Sequence, residues 1–134
     1  MAEHIYKNRE LFDRVQDIND VINLVEVIRY VGDEYKDAYS FATKYCSWSL
    51  INTEINIPIV DSKVKEVLYR LNEKKNYREL FTQDSMKDYD TYVRIYADFV
   101  KYCGFGGMKY KDIDKCLWQY AKNIERQTGL EMGI

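Results

Sequence analysis

Two neighbouring stretches decide how this chain folds: Ser40-Phe-Ala-Thr-Lys44-Tyr-Cys-Ser-Trp48, and Ile57-Pro-Ile-Val-Asp61-Ser-Lys-Val-Lys-Glu-Val-Leu68. In and just before the first, Ala38, Phe41, Ala42, Tyr45 and Cys46 fall three and four residues apart, so the spacing predicts a helix over about 34–50 with these residues on one face. The second breaks that period. Pro58 disfavours helical geometry at Ile57, and Asp61 then reads as the N-cap of a helix over 61–72 that buries Val64, Val67 or Leu68, and Leu71. The pair is therefore helix, extended connection, capped helix.

The same period extends outward. A short helix is expected over 3–14, with Ile5, Leu11, Phe12 and Val15 on its apolar side. Asp17 reads as the N-cap of a second helix reaching Tyr30, with Asp20 in its first turn and Ile18, Val21, Ile22, Val25 and Ile28 forming a buried stripe. Val31-Gly32-Asp33 reads as a stop and turn. Beyond the capped helix, residues 73–87 are polar and irregular apart from Leu80-Phe81. A fifth helix over 89–102 carries Tyr92, Ile95, Tyr96, Phe99 and Val100, and a sixth over 111–127 carries Ile113, Leu117, Tyr120, Ala121 and Ile124 before Gly129 ends it. About six helices in one orthogonal bundle, an all-α single domain over 1–134, is the expected architecture.

Composition agrees. Apolar residues are 46% of the 134 and charged residues 31%, enough for a core and a solvated surface. One proline and six glycines argue against a many-turned β fold. The net charge of −2, from 20 basic and 22 acidic residues, lacks the strongly basic signature of a nucleic-acid binder, so such a function would need a local basic face. Cys46, Cys103 and Cys116 are widely spaced, with no CxxC pair and one histidine, His4. No metal site or disulfide framework is expected; each thiol reads as a small buried residue in a reducing, cytoplasmic setting. The charged start, MAEHIYKNRELFDR, is unlike a secretory signal, and no apolar run is long enough for a membrane span, so no membrane partner is expected.

Few motifs carry chemistry. Gly104-Phe-Gly-Gly107 lacks the phosphate-loop pattern and reads as a connector. His4, in a frayed terminus, is badly placed to serve a nucleophile. The pairs Asp88/Asp90 and Asp112/Asp114 sit at helix starts and read as caps rather than metal ligands. Most of the thirteen tyrosines read as core or rim residues.

The Lys44–Asp61 arrangement resembles the catalytic segment of helix-hairpin-helix DNA glycosylases, most closely the 8-oxoguanine branch. In that family a lysine near a helix start is followed, just under twenty residues later, by Pro-Val-Asp opening another helix; here Lys44 and Asp61 are seventeen apart, and Pro58-Ile59-Val60-Asp61 matches the second element. The resemblance implies a glycosylase-like core and base excision (glycosylase/AP lyase) or DNA binding, in active or degenerate form. It casts Lys44 as a Schiff-base nucleophile, which needs an amine shielded from water, and Asp61 as its electrostatic and acid/base partner; duplex DNA would be the partner, with the target base flipped out and no cofactor needed. Lys63, Arg70 and Lys74 share a side of the fourth helix and would contact phosphates. The family's glycine hairpin before the lysine is replaced here by Ser40-Phe-Ala-Thr. The alternative is a non-catalytic all-α interaction module whose aromatic surface binds a protein partner or a second copy.

Overall fold

The computed structural model describes residues 2–31 and 36–131. The fold is all-α: apart from one two-residue antiparallel pair, every regular element among the described residues is helical. The chain divides into two compact units, Met1–Val60 and Asp61–Ile134.

In the first unit the expected helix over 3–14 forms as two short ones, α1 (Ala2–Lys7) and α2 (Arg9–Asp13). They break at Asn8, whose side-chain amide donates to the His4 carbonyl at 2.9 Å; an asparagine that satisfies a backbone acceptor competes with the helical ladder. α3 (Ile18–Arg29) begins as expected at Asp17, which forms a reciprocal capping box with Asp20. It buries Val21, Leu24, Val25 and Ile28. Leu24 takes a place in the stripe while Ile22 is only half-buried.

After α3, Tyr30–Val31 (β1) pairs with Lys36–Asp37 (β2), Tyr30 opposite Asp37. The expected stop at Gly32 and Asp33 lies outside the described residues. Because β2 is extended, α4 starts only at Tyr39 and runs to Ser49, later than the period alone indicates. The lock on this connection is Arg29, 2% exposed although charged. Its Nε and Nη2 donate to the two Asp37 carboxylate oxygens, each at 2.9 Å. Its guanidinium lies 3.7 Å from the Tyr39 ring centroid, and Glu26 is 3.3 Å from Nη1. Burial alone would lower the guanidinium's proton affinity; the Asp37 hydrogen bonds and charge outweigh it and leave the pKa raised.

α4 buries Tyr39, Ala42, Thr43 and Cys46. This corrects the face assigned from sequence: Phe41 is 46% exposed and Tyr45 half-buried. The segment after α4 returns extended along it, with Ile57 and Val60 buried. The fully buried Thr43 hydroxyl donates to the Ser40 carbonyl at 3.0 Å and accepts from the Val60 amide at 2.8 Å, so a loop amide that Pro58 keeps out of a helix still finds a partner.

In the second unit α5 (Ser62–Lys75) is capped by Asp61 and ends at Asn76 in the left-handed region, φ 50°. Val64, Val67, Leu68 and Asn72 are its buried residues, so Asn72 rather than Leu71 closes the stripe. The Asn72 side chain pins the polar loop that follows, donating to the Glu79 carbonyl and accepting from the Arg78 amide. A 3-10 turn, Asp84–Lys87, buries Met86. α6 (Tyr89–Cys103) is capped by Asp88 and buries Tyr89, Tyr92, Ile95, Tyr96, Phe99 and Val100. Gly104 at φ 71° terminates it.

α7 runs from Tyr110 to Glu131, so Gly129 does not end it; an isolated glycine costs helix stability without blocking hydrogen bonds. Tyr120 is exposed rather than facing inward. Asp112 lies in the first turn of α7, but Asp114 is not a cap: it is buried and accepts a 2.7 Å hydrogen bond from the Tyr96 hydroxyl. Burial first, and then the Asp114 charge, hold the Tyr96 phenol far above its ordinary pKa.

Candidate functional site

The most distinctive surface belongs to the first unit and is built by α4. Residues 41, 45 and 48 are spaced i, i+4, i+7, so they line one side of the helix. Phe41 stacks near Tyr45 with centroids 6.0 Å apart, and Tyr45 meets Trp48 at 5.9 Å. Trp48 is 67% exposed. Phe12 of α2 closes one flank, its ring edge-on to Tyr45 at 5.5 Å. An open cavity of about 520 Å³, lined by Ala2, Ile5, Phe41 and Tyr45, lies beside this row. Three aromatic rings and an apolar cleft, with Lys44 as the one charged residue of α4, make a continuous apolar face left in water. The Phe41/Tyr45 spacing is visible in the sequence, but a stripe of aromatics reads equally well as core.

Lys44 is exposed on α4, and the side chains of its own unit do not supply the shielding that a nucleophilic amine requires. Asp61 lies in the other unit and uses its carboxylate locally: Oδ1 accepts from the Lys63 amide at 2.8 Å and the Val64 amide at 3.3 Å. The Lys63 ammonium donates to both Glu125 carboxylate oxygens at 2.9 Å. Arg70 pairs with Glu66 at 2.8 Å, and Lys74 is exposed in the last turn of α5. Two of the three side chains expected to meet phosphate are thus engaged by carboxylates, in pairs exposed enough to contribute little to stability.

Neither a protein-family model nor a solved structure matches the chain. A curated relative does. The chain is 33% identical over 126 residues to an uncharacterized protein of Haemophilus influenzae, the aligned stretch making up 92% of this chain and 57% of the relative. The chain therefore spans little more than half the length of the relative it matches.

Other groups fall into place as structure. His4 sits in α1 with its ring Nε2 2.8 Å from the Val27 carbonyl oxygen, so it is tied to α3 and not frayed. Among the described residues no group of three or more histidine, cysteine, aspartate or glutamate side chains is placed to hold a metal ion, and no helix is long and apolar enough to cross a membrane. The cysteines are free; only Cys46 is buried, Cys103 is half-buried and Cys116 is exposed, which corrects the expectation that all three are interior. Burial pushes the Cys46 thiol up to about 12.

Proposed function

We propose that this protein is a non-catalytic interaction module that binds an amphipathic helix along the aromatic face of α4. The observation that carries the reading is the row Phe41–Tyr45–Trp48, exposed at its two ends and half-buried at Tyr45, beside an apolar cleft. In helix-in-groove recognition the anchors of one helix seat in an apolar cleft, and aromatic residues contribute heavily to such contacts; α4 sets an aromatic row beside a cleft, against which a second helix can pack its own apolar face. What covers part of this face within the chain indicates what suits it: short helices presenting Ala2, Ile5 and Phe12. A partner helix with small and aromatic residues toward α4, and a carboxylate opposite Lys44, has the matching chemistry. The test uses a labelled synthetic peptide of residues 2–14 titrated by fluorescence anisotropy with the full chain carrying Phe12→Ala, which loosens the chain's own copy of that segment on the face. Saturable binding that Phe41→Ala weakens at least tenfold is expected. No binding at millimolar protein, or binding indifferent to Trp48→Ala and Phe41→Ala, refutes the reading.

The second reading is the glycosylase-like one, and its specific support is the Asp61-capped start of α5 after Pro58, the element the resemblance requires. It calls for Lys44 as nucleophile, Asp61 as partner, and Lys63, Arg70 and Lys74 on phosphate. Borohydride trapping on abasic and oxidised duplexes tests it, with Lys44→Gln abolishing the trapped adduct. Binding of the same duplexes across a salt series tests phosphate recognition, and a slope near zero counts against it.

A further inference from the structure

The segment α1–α2 is attached to the first unit in a different way from the other helices. Neither α1 nor α2 contains a buried residue, and both are far shorter than the length at which a helix holds itself together in water. Its holds on the remainder are the His4–Val27 contact at 2.8 Å and the Phe12 ring edge on Tyr45 at 5.5 Å, supplemented by partly buried Ile5 and Leu11.

Cavities line the seam on both sides. Against α4 lie the cleft of about 520 Å³ and a second of about 420 Å³ that shares Ala2, Ile5 and Tyr45 with it. Against α3 a third, of about 270 Å³, is bounded by Leu11 and Arg14 on one side and Leu24 and Val27 on the other. A seam bordered by clefts open to solvent makes fewer of the dispersion contacts that weld packed helices together. The contrast with α3 and α4 is sharp, since Val21, Val25, Ile28, Ala42 and Cys46 are fully buried. The boundary is also defined. Asp17 and Asp20 cap α3 firmly, and the Gln16 amide donates to Asp20 at 2.9 Å, so the chain is gripped from residue 16 onward.

We propose that α1–α2 is a displaceable strap. It swings on residues 14–15 while α3 and α4 stay folded, and uncovers the sides of Phe41 and Tyr45 that Ile5 and Phe12 now cover. An incoming amphipathic helix takes the strap's place, so the strap is an autoinhibitory contact for the face described above. Only the identity of what enters rests on the helix-binding reading; the opening does not.

Two measurements on the full chain test this. Native-state hydrogen exchange should show amides of residues 5–13 exchanging about 100-fold or more faster than those of 21–28, and Phe12→Ala should speed the former about tenfold further while leaving α3 and α4 unchanged. Exchange of all these amides at one common rate, or a Phe12→Ala effect spread equally over α3 and α4, overturns the strap. The Phe12–Tyr45 ring contact within the chain, followed by nuclear Overhauser effects in an isotope-labelled chain with unlabelled peptide so that the peptide's own Phe12 is silent, should disappear as the residue 2–14 peptide binds. If the peptide binds and that contact persists, gating is wrong and helix binding stands. If the strap opens in exchange but the peptide fails to bind even the Phe12→Ala chain, the strap stands and helix binding falls.

Discussion

Cutting Asp37 away from Arg29 should destabilise the first unit more than removing Arg29 itself. The Arg29 side chain is 3% exposed and the Asp37 side chain 47%, so the two partners stand in different solvents. Asp37→Ala strands a guanidinium inside the protein and deletes two charge-assisted hydrogen bonds of 2.9 Å. Breaking a fully buried pair from one side costs about 3–5 kcal/mol. Because Asp37 is half in water and Glu26 still lies 3.3 Å from the guanidinium, a loss of about 2–3 kcal/mol is the reasoned value. Arg29→Met instead removes the charge, keeps an apolar stem against Tyr39 and returns Asp37 to water. Its cost is the lost ring contact and hydrogen bonds, about 1 kcal/mol.

Urea unfolding followed by far-UV circular dichroism reads these values as shifts in midpoint at constant slope. The double variant should lie close to Arg29→Met alone, because Asp37 has nothing left to satisfy. Glu10→Ala, which deletes an exposed pair with Arg14, is the control and should change stability by less than about 0.5 kcal/mol. An Asp37→Ala loss below that control, or a larger loss from Arg29→Met than from Asp37→Ala, refutes the claim that a buried charge is held by a half-exposed partner.

Three further outcomes follow from the same geometry. Tyr96→Phe removes the 2.7 Å hydrogen bond to Asp114 inside the second unit and should cost about 2 kcal/mol of unfolding free energy in denaturant titration; a change under about 0.5 kcal/mol would mean that this bond carries nothing. Asp61→Ala removes the α5 cap and should cost about 1 kcal/mol, whereas Asp61→Asn, which can still accept from the Lys63 and Val64 amides, should stay within a few tenths. For Cys46, the folded thiol sits near 12 against 9.0 for a free one. The folded state therefore holds its proton where the unfolded chain has lost it, and stability from this group is intact below pH 9 and falls as pH rises from 9 toward 12. Between pH 8 and pH 10 the wild type should lose about 1.4 kcal/mol more than Cys46→Val; equal losses would show that the thiol is not buried, as would rapid labelling of Cys46 alongside the exposed Cys116 in native conditions.

What was legible in the sequence was what is local. Asp17, Asp61 and Asp88 cap helices by accepting from amides two or three residues ahead, so residue type and spacing were sufficient to find them. Arg29 and Asp114 were missed for the opposite reason: their carboxylate and phenol partners lie eight and eighteen residues away, and a lone arginine or aspartate at a helix end looks the same whether it is solvated or clamped. The start of α4 was misplaced because Tyr30–Val31 draws Lys36–Asp37 into an extended pair, a nonlocal claim on residues whose own period was helical.

The same distinction governs the site. Period locates an apolar stripe on a helix but not the element that covers it. The Phe41–Tyr45 stripe had the spacing of a core, yet the inward places on α4 went to Tyr39, Ala42, Thr43 and Cys46. Thr43 explains the rotation: its hydroxyl is needed inside to satisfy the Val60 amide, which Pro58 and the extended return segment leave without a helical partner. Turning Thr43 inward turns Phe41 and Trp48 outward by the fixed 100° per residue of the helix. The satisfied Val60 amide and the burial of Tyr39, Ala42 and Cys46 together hold this register, and Thr43→Val, which keeps the shape but not the hydroxyl, should weaken it and with it peptide binding along α4.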